Sequence, residues 1–181
     1  MIPIKLRLAC LALGLIPLAT QAAESHVHGE ARLDIAIDGS TLTLMLEAPA
    51  DSLLGFEHAP RNTRERAALA RTKQTLERPA ALFVPSTAAA CTARSTELKS
   101  PLFETSADHN HGHDSSGAHE HGHADIDAMF VFQCTRPEAL RTLDVRLFAA
   151  FPRLKKLQVE LAGPRGQTAL RLTPQQTQVR W

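Results

Sequence analysis

Two short runs of alternating apolar residues, Leu33/Ile35/Ile37 and Leu42/Leu44/Leu46, stand on either side of Asp38-Gly39. A period of two places the apolar side chains of a strand on one face. Asp-Gly between two such runs is the strongest short-range signal for a β-hairpin. The chain is therefore committed to antiparallel sheet with one face buried and the other in water. Further strand candidates are Ala81–Val84, Cys91–Leu98, Ile126 to Cys134, Leu143–Phe148, Leu157–Leu161, Ala169–Leu172 and Thr177–Trp181, with Gly163-Pro164-Arg165-Gly166 as a turn. One helix stands out. Asn62 with Glu65 makes a start resembling a capping box, and Arg78-Pro79 stops it. Its apolar side is thin (Ala68, Leu69, Thr72, Leu76), so it should lie on a sheet with its Arg-rich side in water. Pro49 to Pro60 reads as a loop. The expected fold is α+β, a mostly antiparallel sheet packed with one main helix. The lack of βαβ alternation excludes a doubly wound fold. A chain with no Tyr and a substantial helix also lacks the aromatic girdles of an outer-membrane barrel.

The N-terminus belongs to a different category. Lys5 and Arg7 precede an apolar run from Leu8 to Ala19, and small residues follow, the pattern of a secretory signal over residues 1–23. Cleavage after Ala22 puts Thr20 and Ala22 at the small-residue positions. The run contains Gly14 and Pro17 and is too short to span a bilayer. Residues 24–181 then form a single domain that is exported and not embedded in a membrane. With 20 basic and 19 acidic side chains in the full sequence there is no net field to collect nucleic acid.

Export changes how the cysteines read. Cys10 leaves with the signal, and Cys91 and Cys134 remain in an oxidising compartment. Their spacing suits neither a zinc knuckle nor a CxxC redox pair, so a disulfide is expected. By the chain-entropy model it would contribute up to about 4 kcal/mol. It would also bracket the most unusual segment of the chain.

That segment is residues 104–122, which lack any large apolar residue and are expected to form a mobile insertion. Six of the nine histidines fall there or just beyond, in His109-Asn-His111-Gly-His113 and His119-Glu-His121-Gly-His123. Neutral imidazole is a good ligand for borderline divalent metals. A second pattern sharpens the reading. His26-Val-His28-Gly-Glu30 and His121-Gly-His123-Ala-Asp125 are both His-x-His-x-carboxylate leading into a strand. Extending each strand register puts the His and acid on the face opposite the apolar residues. If the two strands are neighbours, four His and two acids converge on one zinc site. His58 stands alone in Phe56-Glu57-His58-Ala59-Pro60 and is a weaker candidate. His119 to His123 also formally matches the zinc-protease motif His-Glu-x-x-His. That motif requires a helix, and Gly117 and Gly122 argue against one. No nucleophile elbow, P-loop or dinucleotide fingerprint is present.

Several segments together resemble the ZrgA-type periplasmic zinc-binding proteins. They are His26-Val-His28-Gly-Glu30-Ala31-Arg32-Leu33, Leu46-Glu47-Ala48-Pro49-Ala50, Leu54-Gly55-Phe56-Glu57-His58-Ala59-Pro60, the His-rich insertion, and His123-Ala-Asp125-Ile126 leading to Cys134. The resemblance implies a Gram-negative periplasmic protein with an α/β sandwich that binds zinc and assists its uptake when zinc is scarce. It also implies that the His-x-His-Gly start and the His-x-Asp strand entry hold ordered zinc, with the tract adding further sites. Zn2+ is the expected metal, although imidazole accepts Ni2+ and Cu2+ as well. A zinc transporter or its binding protein is the expected recipient. The alternative is a metal-linked sensor or adaptor whose loop orders on zinc binding to recruit a partner. An enzyme is not expected.

Overall fold

The computed structural model describes residues 27–104 and 124–181. The signal over 1–23, His26, and the histidines at 109, 111, 113, 119, 121 and 123 lie outside the described residues.

The hairpin forms as the alternation dictates. Strand β1 (Glu30–Asp38) pairs antiparallel with β2 (Thr41–Pro49), setting Leu33 opposite Leu46 and Ile35 opposite Leu44. The connection is Gly39-Ser40, one residue later than the Asp38-Gly39 signal, because Asp38 still pairs with Thr41. Gly39, at φ 54°, supplies the left-handed backbone that a two-residue turn needs.

The segment read as a loop after Pro49 begins instead with a helical turn, α1 (Ala50–Leu54), closed by Gly55 at φ 90°. It buries Leu53, and the Ala50 amide donates to the Ala124 carbonyl at 2.8 Å. Helix α2 (Thr63–Leu76) starts where expected. The Asn62 side chain accepts from the Glu65 amide at 2.9 Å, and the Glu65 carboxylate accepts from the Arg61 amide at 2.7 Å. Leu69, Thr72 and Leu76 are its buried residues. The chain breaks at Glu77-Arg78, but Pro79 then opens a second turn, α3 (Pro79–Leu82), at the helical position where a missing N–H is harmless. The strand expected from Ala81 is thereby shortened to β3 (Phe83–Pro85).

Next come β4 (Cys91–Lys99), α4 (Pro101–Glu104) and β5 (Asp125–Cys134). The run from Leu143 is a strand only in β6 (Thr142–Val145). Leu147 and Phe148 are buried side by side, which alternation cannot provide, and they lie in α5 (Leu147–Ala150). Strands β7 (Lys156–Gly163), β8 (Gly166–Leu172) and β9 (Gln178–Arg180) complete the described chain.

The strands make a six-stranded sheet, β4-β5-β2-β1-β7-β8, and a three-stranded one, β3-β6-β9. All described pairings are antiparallel except β1 with β7. The inner face of the large sheet (Leu33, Ile35, Leu44, Phe130, Val159) shares one core with Phe83, Leu143 and Val179 of the small sheet and with Leu69 and Leu76 of α2. Phe83 and Phe130 meet across it with ring centroids 5.0 Å apart. This is the expected α+β architecture. Cys91 and Cys134 lie directly opposite each other on β4 and β5 and form the expected disulfide. Among the described residues, no helix is long and apolar enough to cross a membrane.

Candidate metal centre

Gly29 decides where His28 goes. Its φ is 79°, and a Cβ there would sit 3.2 Å from the Arg153 carbonyl oxygen. The Gly29 amide donates to Ser52 Oγ at 3.0 Å, and its carbonyl accepts from the Lys155 amide at 2.7 Å. The backbone therefore turns sharply just before β1. The expectation that strand alternation runs back from Glu30 through His28 is corrected by this turn: β1 starts at Glu30, and His28 leaves in a different direction.

His28 turns toward α1 and the loop behind it. Its Nδ1 lies 3.1 Å from Asp51 Oδ2 and 3.8 Å from Glu57 Oε1, while its side chain is 66% exposed. Arg153 holds Asp51 from the other side, donating to the carboxylate at 3.2 Å and to the Asp51 carbonyl at 3.1 Å. A neutral imidazole that gives its Nδ1 proton to a carboxylate presents the Nε2 lone pair outward. Metal-ligating histidines are commonly oriented in this way.

Glu30 and Asp125 are brought to one face but not to adjacent strands. The condition that β1 and β5 be neighbours is not met, because β2 runs between them. Strands two positions apart are separated by about 9–10 Å. Both residues line an open cavity of about 670 Å3 on the outer face of the large sheet, together with Val27, Glu47, Asp127 and Glu160. Glu30 is engaged there by the ammonium of Lys156. The Asp125 carbonyl accepts from Ser100 Oγ at 2.7 Å, fixing the start of β5.

His58 is in a separate place. Its ring stacks on Phe56 with centroids 5.3 Å apart, and its Nδ1 lies 3.0 Å from the Ala59 carbonyl oxygen and 4.0 Å from Glu65 Oε2. The Glu65 carboxyl is held below the usual carboxylate range, first by the Arg61 amide and then by the Asn62 side chain and nearby His58. Among the described residues, no group of three or more His, Cys, Asp or Glu side chains is placed to hold a metal ion. The residue that sequence reasoning missed is Asp51. Nothing local marks it; only the fold of α1 against the 27–30 turn does.

His28 is thus an exposed imidazole oriented by a carboxylate on an α+β scaffold, the orientation that metal-ligating histidines commonly share. The chain belongs to the ZrgA family zinc uptake proteins, whose family description matches residues 25–181. No match to this chain is found among curated proteins.

Proposed function

We propose that this chain is a non-catalytic periplasmic zinc-binding protein that captures zinc and assists its uptake or buffering, with zinc as its cargo. Family membership supports the zinc-uptake role. The observation that carries the reading is His28, oriented by Asp51 at the point where both His-bearing segments join the fold. His26 is one bond from Val27, which lines the same cavity as Asp125, and His123 precedes Ala124, whose carbonyl caps the start of α1 beside Asp51. In this reading His26, His28, His121 and His123, with carboxylates drawn from Glu30, Asp51, Glu57 and Asp125, supply a tight site. His109, His111, His113 and His119 add capacity, and the tract raises the local ligand concentration for capture. His58 stands apart from that set. Binding weakens as pH falls through the imidazole range, since protonated imidazole cannot ligate.

The test is a zinc titration against a competing chelator, using the mature chain and a version lacking residues 105–120. The truncated chain should keep the tightest affinity and lose stoichiometry. Loss of tight binding together with the tract would overturn the ordered site, and an unchanged stoichiometry would overturn the role of the tract.

A further inference from the structure

The sequence contains three methionines, Met1, Met45 and Met129. Far apart in the chain, Met45 and Met129 are directly opposite each other in the β2–β5 pairing. Their strand neighbours Leu44, Leu46, Ala128 and Phe130 are buried, so both thioethers point away from the core. Met45 is 43% and Met129 37% exposed, and with Val27 they are the exposed large hydrophobic residues of the described chain. Leaving two such side chains in water gives up burial energy without any gain to the core.

We propose that Met45 and Met129 form a binding site for a soft monovalent cation of the Cu(I) or Ag(I) class, separate from the histidine-based zinc site. Opposed residues of an antiparallel pair have Cβ atoms about 4.5–5.5 Å apart. A methionine has three rotatable bonds and a polarisable sulfur, so both thioethers can close on one ion between them. Thioether sulfur selects Cu(I), whereas zinc sites are built from thiolate, imidazole and carboxylate.

The surroundings favour this choice. Asp34 is opposite Met45 and Glu97 is opposite Met129, making a row of four across β1, β2, β5 and β4. Asp34 is engaged by Arg32 at 2.9 Å and Glu97 by Lys99 at 2.9 Å. The flanking acids are thus held by cations and leave the centre of the row to the sulfurs. Cys91 and Cys134, which could compete for a soft ion, are joined in the disulfide.

The experiment uses Ag(I), which is redox-inert, on the mature chain in a chloride-free nitrate buffer at about pH 5. Imidazole is then mostly protonated while thioethers do not titrate. With the methionine methyl groups labelled for NMR, both methyl signals should move together and saturate at one equivalent. M45L/M129L should lower Ag(I) affinity at least tenfold while leaving zinc affinity near neutral pH unchanged. Methyl signals that stay put, that move with separate midpoints, or a double variant that binds Ag(I) like the parent would each overturn the proposal.

Discussion

Asp51 joins His28 to Arg153: one carboxylate oxygen lies 3.1 Å from His28 Nδ1 and the other accepts from the guanidinium at 3.2 Å. Arg153 fixes the carboxylate, and the carboxylate fixes the ring. Asp51→Asn keeps the shape but weakens the acceptor. Removal of such an orienting partner typically costs 10- to 100-fold in metal affinity. We expect a zinc affinity loss in that range by competition titration. The melting temperature should change little, because an exposed ion pair contributes about 0–1 kcal/mol.

Gly29→Ala tests the turn that directs His28. A side chain must adopt φ 79° and also approach the Arg153 carbonyl oxygen to 3.2 Å. The left-handed conformation alone costs about 1–2 kcal/mol. Thermal unfolding should show a loss of at least that size, and zinc affinity should fall with it as His28 shifts away from Asp51.

How much of this could be read from the chain follows from the range of each interaction. The β1–β2 hairpin, the cap of α2 and the alternation of β5 are local patterns, and each appears within a residue or two of its expected place. The Cys91–Cys134 pairing was legible because reading residues 1–23 as a secretory signal leaves these two cysteines as a single pair. The short helices α1, α3 and α5 were not legible, since four or five residues hold too little periodicity to separate helix from strand. Long-range placement was hidden altogether. The parallel pairing of β1 with β7 and the insertion of β2 between β1 and β5 arise from tertiary packing. For the same reason Glu30 and Asp125 could be put on the outward faces of their own strands, while the order of those strands in the sheet could not be read. Asp51 carried no local signal at all.

The Asn62–Glu65 cap gives stability an acid limb. Glu65 has a folded-state pKa below its unfolded value. Its contribution is complete above the ordinary carboxylate value and is lost as pH falls through the depressed one. Glu65→Gln should flatten the loss of melting temperature below about pH 4.5. Asn62→Ala removes the partner of the Glu65 amide and should cost about 1 kcal/mol at neutral pH.

Cleavage at an engineered protease site between residues 105 and 123 should leave the two halves covalently joined through Cys91–Cys134. One species is expected on a non-reducing gel and two on a reducing gel. Cys91→Ser/Cys134→Ser should release the halves without reductant and lower the stability of the uncut chain by up to about 4 kcal/mol. Two separate bands under non-reducing conditions after complete cleavage of the unsubstituted chain would contradict this pairing.

The disulfide closes one end of the β4–β5 hairpin, and the histidine tract is inserted at the other, beyond the pairing of Lys99 with Asp127. Every cross-strand contact of that hairpin lies on the disulfide side of the insertion. Residues added to or removed from the tract therefore leave the register of the sheet untouched. Loop-closure entropy rises only logarithmically, by about 0.6 kcal/mol for each doubling of length. The number of histidines carried can thus drift by insertion and deletion at little cost to folding, on a separate axis from the scaffold that displays them.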